Sequence, residues 1–217
     1  MRAVLLDLDG TLVDSLPDLA CALNGALAEQ GRRSLDLVEV RRMVGDGAPV
    51  LVARALAATG GVEDLDGALA RFLDRYLGAE AVHTRPYPGA SDALATLVAA
   101  GARLALVTNK PEAPARAILQ TFGWEGHFDV VIGGDTLPLR KPHPAPAYAA
   151  LRALGDPAAV FVGDSAVDAA TARAAGLPLV LVSYGYSDAP PTSLGADRVV
   201  DHAADIAGAA LELLGGR

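Results

Sequence analysis

Apolar positions along the chain recur with two different periods, and the change between them divides the sequence. Val4-Leu5-Leu6 is a short apolar run that ends at Asp7-Leu8-Asp9-Gly10-Thr11. A run of that length closed by polar residues and a glycine reads as a buried strand. From Leu16 the period becomes helical. Leu16, Leu19, Ala20, Leu23 and Leu27 lie on one stripe, with Asp14 or Ser15 as cap, Pro17 in the first turn and Gly31 as terminator. Further stripes run over Leu37–Met43, Pro49–Ala58 and Leu65–Leu77, separated by Gly45-Asp46-Gly47 and Gly60-Gly61. No convincing strand lies between Leu16 and about Val82. Cys21 falls inside the first helix and is expected to be buried filler.

After Arg85-Pro86-Tyr87-Pro88-Gly89, a stiff connector held extended by two prolines, strands and helices alternate. Strands are expected at 103–108, 128–132, 159–162, 178–182 and 198–200. Helices are expected at 90–100, 112–122, 145–154, 166–175 and 206–214. Such alternation predicts an α/β fold: a doubly wound parallel sheet with helices on both faces, here with an inserted helical segment. The expected division is a Rossmann-like core of residues 1–14 and 84–217 and a helical cap of residues 15–83.

Composition narrows the class. Hydrophobic residues are 52% and aromatics only 5% of 217, so the core is built from Ala, Leu and Val. The net charge is -8 without a basic tract, which argues against nucleic acid as a partner. One cysteine excludes an intrachain disulfide. No apolar stretch reaches the roughly 18 residues of a membrane span, and no leader is apparent, so a cytoplasmic protein is expected. His83, His127, His143 and His202 fall in no motif and read as surface or loop residues. Arg32-Arg33 and Arg41-Arg42 read as solvated helix ends and faces.

The chemistry collects behind four strands. Asp7 and Asp9 follow the first, Thr108-Asn109-Lys110 the second, Arg140-Lys141-Pro142 lies after the third, and Gly163-Asp164-Ser165 with Asp168 follows the fourth. Ligands of open parallel sheets bind beyond the C-terminal strand ends, so these four loops converge on one crevice. If the first strand stays extended, Asp7 and Asp9 share a face. Two carboxylates that close conflict unless a cation lies between them. Asp7, Asp9 and Asp164 are hard oxygen donors that suit Mg2+. Thr108 offers a hydroxyl and Lys141 a positive charge toward a phosphate. Taken singly, each has a plainer reading: a strand end, a loop, a helix cap at Asp164-Ser165, a first-turn acid at Asp168.

Together the four elements, with Asp7-Leu8-Asp9-Gly10-Thr11 leading, resemble the four motifs of the haloacid dehalogenase superfamily of phosphohydrolases, in order and over the whole chain. The resemblance implies that Asp7 is the nucleophile, that Asp9 is the acid and base, and that Thr108 and Asn109 bind the phosphoryl group. It implies that Lys141 stabilises charge at both nucleophile and phosphate. Asp7, the backbone oxygen of Asp9, and Asp164 would hold Mg2+, with Asp168 behind them orienting Lys141 or metal-bound water. The insertion resembles the C1-type cap, and Gly45-Asp46-Gly47 resembles the cap loop of phosphoglycolate phosphatases and near relatives. Asp46 is expected to turn outward or to pair with a residue such as Arg42. Leu6 departs from the usual Phe, a change of packing only.

The implied activity is a Mg2+-dependent phosphomonoesterase working through an aspartyl-phosphate on a small phosphate ester, 2-phosphoglycolate first, as monomer or homodimer. Within the superfamily a β-phosphoglucomutase, a sugar-phosphate phosphatase and a pyrophosphatase are the alternatives. A dehalogenase lacks the second aspartate. A non-enzymatic phospho-Asp receiver, the alternative from another class, has no need of Asp9 or of a lid.

Overall fold

The computed structural model describes residues 2–215. Its centre is a six-stranded parallel sheet made of β1 (Arg2–Leu6), β4 (Ala102–Val107), β5 (Val130–Ile132), β6 (Ala158–Gly163), β7 (Leu179–Val182) and β8 (Arg198–Val200), in the order β5-β4-β1-β6-β7-β8. The chain builds outward from β1 on one side, then returns to fill the other, so the strand order reverses beside β1. Such a reversal opens a crevice at the C-terminal strand ends.

Side-chain alternation along β1 divides the core between the two faces. Val4 and Leu6 pack with Leu94 and Leu97 of α5 (Ala90–Ala99), Ile118 of α6 (Glu112–Thr121) and Ile206 of α9 (Ile206–Gly215). Ala3 and Leu5 pack with Ala147 and Ala150 of α7 (Ala145–Ala153) and Ala169 and Ala172 of α8 (Ala166–Ala175). Small residues on these helices let them approach the sheet closely, as the low aromatic content requires.

The segment between β1 and α5 is helical, as its periodicity predicts. It contains α1 (Leu16–Ala28), α2 (Leu37–Arg41), α3 (Ala48–Thr59) and α4 (Leu65–Tyr76). These helices share a separate apolar cluster that includes Leu19, Leu23, Leu27, Val40, Leu51, Leu56 and Phe72. Where the chain leaves and re-enters the sheet, β2 (Val13–Asp14) and β3 (Arg85–Pro86) pair antiparallel. The expected connector is therefore a two-stranded ribbon. Asp18, buried in α1, accepts hydrogen bonds from the N–H groups of His83 and Thr84 and from the Thr84 hydroxyl, at 2.7 to 2.9 Å, tying the two ends of the insertion together.

Three expectations fail here, one of them at Arg41, whose Nε is buried and whose guanidinium donates to the Gly185 carbonyl instead of lying in solvent. Cys21 is exposed, because it lies off the stripe formed by Leu16, Leu19, Ala20, Leu23 and Leu27. Arg32 is not a solvated helix end: its side chain is 14% exposed and donates to the carbonyl of Leu56, closing the last turn of α3. Among the described residues, no helix is long and apolar enough to cross a membrane.

Candidate active site

The register places three loops level. Leu6 pairs with Leu106 on one side and with Val162 on the other, so Asp7, Thr108 and Asp164 leave the sheet side by side. Strand β1 ends at Leu6, but the Asp7 N–H still donates to Val162 at 3.0 Å and keeps the carboxylate at the strand end. The chain then turns at Gly10, with φ of 82°. A Cβ on Gly10 would come within 2.4 Å of Asp164 Oδ2, and one on Gly185 within 2.3 Å of Asp164 Cβ. Two glycines thus leave room for Asp164 to lie against the first loop.

Lys141, 3% exposed, joins the acids. Its Nζ is 2.8 Å from Asp7 Oδ1 and 2.7 Å from Asp168 Oδ1, above the ring of Phe161. The second Asp168 oxygen accepts from the N–H groups of Asp164 and Ser165 and from the Ser165 hydroxyl. Asp168 therefore orients Lys141 and shapes the Asp164 loop at once, while Ser165 and Asp168 form the capping box of α8. Asp164 Oδ2 accepts from the Tyr186 N–H at 2.6 Å.

Burial dominates the electrostatics. It pushes Asp7 up to about 6 despite the adjacent Lys141 ammonium, and it holds Asp164 well above the usual carboxylate range, with Asp168 and Asp7 adding to the effect. Burial alone would depress Lys141, but the carboxylates of Asp168 and Asp7 outweigh it and keep the ammonium charged. Asp7, Asp164 and Asp168 offer oxygens within 4.8 Å of one another. Asp7 Oδ1 has the ion pair but no aligned hydrogen-bond donor among the described residues. Three buried carboxylates with a single ammonium among them are a set of hard donors that fits a divalent cation.

The second acid has other partners. Asp9 Oδ1 accepts from the Ser15 hydroxyl at 2.6 Å, and both its oxygens are 3.1 Å from Lys110 Nζ. Lys110 also contacts the Tyr76 hydroxyl at 2.5 Å and lies over that ring. Thr108 and Asn109 are buried beside Asp7. The Asn109 amide donates to the carbonyls of Lys141 and Gly45, both at 3.0 Å, and so joins the sheet to the insertion.

A pocket opens in front of Asp7, Asp9 and Thr108, and the insertion covers it with Leu19, Val44, Leu51, Phe72, Leu73 and Tyr76. The space left is about 50 Å³, a few water-sized groups. Gly45 and Gly47 line it, whereas Asp46 faces an outer groove and pairs with Arg54 at 2.6 Å. Arg42 instead faces Asp188 at 3.4 Å.

Two side chains of this region, Tyr76 and Tyr186, escaped the sequence reading, and a third, Lys110, was given no definite place. Lys110 lines the pocket, a place suggested only by its position in Thr108-Asn109-Lys110. Tyr76 was merely one member of the apolar stripe that runs to Leu77. Tyr186 gave no local signal, yet its hydroxyl accepts from the N–H groups of Ser15 and Leu16 and donates to Asp14, standing in for the absent side-chain cap of α1. Tyr186→Phe leaves the buried Ser15 N–H without an acceptor, while the Leu16 N–H keeps Asp14 Oδ1 at 3.2 Å, and is expected to cost about 1 kcal/mol, read as a lower Tm. An unchanged melting curve would show that water serves equally well.

The sequence and the fold are similar to those of known proteins. The family model for haloacid dehalogenase-like hydrolases matches residues 1–176. The chain is 51% identical to the phosphoglycolate phosphatase of Rhodospirillum rubrum, over 94% of this chain and 89% of that protein. It is 43% identical to that of Caulobacter vibrioides, over 97% and 91%. A crystal structure of a predicted phosphoglycolate phosphatase from Haemophilus somnus 129PT superposes with a TM-score of 0.90 at 36% identity, covering 95% of this chain and 96% of that one. The chain belongs to the haloacid dehalogenase-like hydrolase family and is an enzyme of its phosphatase type.

Proposed function

We propose that the protein is a Mg2+-dependent phosphomonoesterase that hydrolyses 2-phosphoglycolate, with residues 1–14 and 84–217 as catalytic core and residues 15–83 as a cap. The observation that carries the reading is the buried Asp7 carboxylate at the end of β1, paired with Lys141 and flanked by Thr108 and Asn109. The names of the relatives at about half identity supply the substrate.

Each residue then has a task. An Asp7 oxygen attacks phosphorus, forming the aspartyl-phosphate as the P–O bond to the leaving group breaks. Asp9 gives its proton to the departing oxygen, then takes one from the water that attacks the same phosphorus and frees Asp7. Lys141 balances charge at the attacking carboxylate, and Asp168 holds it there. Thr108 and the backbone beside it receive phosphoryl oxygens. Asp7, Asp164 and the Asp9 backbone oxygen would hold the cation, which when bound neutralises phosphate charge against the acids. The apolar cover excludes water and offers few partners for sugar hydroxyls, which favours a compact leaving group over a hexose.

Ranking kcat/KM over a panel of phosphorylated metabolites tests the substrate. A tenfold preference for another ester would displace 2-phosphoglycolate. Lys141→Ala is expected to lower kcat by a factor of about 10² to 10³. It also leaves Asp7 and Asp168 without their cation. Its Tm should therefore fall more at pH 8 than at pH 5, where the carboxylates can take up protons. A tenfold or smaller loss of kcat would move the charge-stabilising role to Lys110 or Arg140.

A further inference from the structure

Lys110 is the ammonium that lines the substrate pocket; Lys141 does not line it and is committed to Asp7 and Asp168. The Lys110 side chain is 2% exposed. An ammonium has three donors. Among the described residues these donors meet three oxygens, both of Asp9 at 3.1 Å and the Tyr76 hydroxyl at 2.5 Å, so an entering anion shares the ammonium with Asp9. The rest of the cover on that side is aliphatic or aromatic: Leu19, Val44, Leu51, Phe72 and Leu73. A polar group entering this space therefore finds one cationic donor, and it lies beside the acid that serves the leaving oxygen.

We propose that Lys110, steadied by Tyr76, recognises a carboxylate on the leaving group and so selects phosphate esters whose carboxylate lies one carbon from the ester oxygen. This rests on the phosphomonoesterase reading above. Three arguments support it. A leaving-group carboxylate buried in this apolar space needs a cationic partner, and Lys110, in contact with Asp9, places one beside the leaving oxygen. Charge-assisted hydrogen bonds are strong where water is excluded. Finally, Lys110 follows a sheet strand whereas Tyr76 ends α4, so the pair exists only while the insertion rests against the sheet. Recognition of the leaving group is thereby linked to cover of the pocket.

Steady-state kinetics of the full chain on 2-phosphoglycolate and ethyl phosphate, which differ by the carboxylate, test the proposal. Wild type should prefer 2-phosphoglycolate. Lys110→Met should reduce that preference about a hundredfold, mainly through a higher KM for 2-phosphoglycolate, and Lys110→Arg should recover part of it. Tyr76→Phe, which keeps the ring, should reduce the preference several-fold in the same direction. Equal losses on both esters in Lys110→Met would mean that Lys110 serves only to place Asp9, and the proposal falls while the phosphatase reading stands. If Lys110→Met fails to fold, Tyr76→Phe decides, and an unchanged preference there overturns the proposal. A wild type without preference for the carboxylated ester overturns the substrate reading itself, before any variant is made.

Discussion

Asp7→Asn is expected to abolish turnover, by a factor of about 10⁵ or more, while leaving the fold intact. The amide fills the space of the carboxylate at the end of β1, and the Asp7 N–H to Val162 bond does not depend on the side chain. What disappears is the anionic oxygen proposed to attack phosphorus, and with it the expected phosphoryl-enzyme. The structure adds a less obvious expectation about stability. Burial raises Asp7 from 3.8 to about 6, so the folded state holds its proton more tightly than the unfolded chain does. A group shifted in that direction stabilises below its unfolded value and loses that contribution as pH rises to about 6. Above that pH the metal-free wild type carries a buried anion at a cost of up to roughly 3 kcal/mol. The neutral Asn does not. Metal-free Asp7→Asn should therefore melt at or above the wild-type temperature at pH 8, with the difference shrinking toward pH 4. Intact-mass measurement after incubation with substrate should show no phosphoryl adduct. Residual turnover well above background, or an adduct on the variant, would assign the nucleophile elsewhere.

How far the chain can be read without coordinates depends on the range of the interaction. Strand β1, helix α8 and the alternation from α5 to α9 were legible because periodicity and capping are local. The convergence of the four loops was also legible, since parallel topology forces strand ends together. The ribbon β2–β3 was not: each strand has two residues, and Pro86 reads as a breaker although it sits comfortably on a strand with a free edge. Cys21 was misplaced by attending to the composition of the helix rather than to its stripe. Arg32 was misread because its partner, the end of α3, is remote in sequence. The same holds for the site. Acids announced themselves by motif, but the Lys110–Tyr76 contact, the Tyr186 cap and the bond from Arg41 to the Gly185 carbonyl join residues 34 to 171 positions apart. No local pattern carries such pairs; they follow from how the insertion settles on the sheet.

Removal of divalent metal is expected to silence the enzyme completely, and the reason lies in which oxygens are already satisfied. Both Asp168 oxygens are engaged, one by Lys141 and the other by the Asp164–Ser165 turn. Among the described residues the Asp7 carboxylate has only its ion pair with Lys141, and Asp164 is held well above its usual range by burial and by its acidic neighbours. Lys141 is the one cation in contact with Asp7 among the described residues, so a dianionic phosphate ester approaching these acids meets uncompensated negative charge. Exhaustive chelation should therefore end turnover of 2-phosphoglycolate, and Mg2+ should restore it. Ca2+ should bind yet support little turnover, because its wider and looser coordination positions the reactants poorly. A readout independent of activity follows from the same charges. Mg2+ should raise the Tm of the chelated protein at pH 8, by an amount equivalent to about 2.7 kcal/mol at a hundred times Kd. Protons compete for Asp7 below about 6, so the gain should shrink as pH falls through that value. Asp164→Asn should blunt the response at pH 8. Full activity after chelation, or a Tm gain as large at pH 5 as at pH 8, would show that these carboxylates hold no catalytic cation.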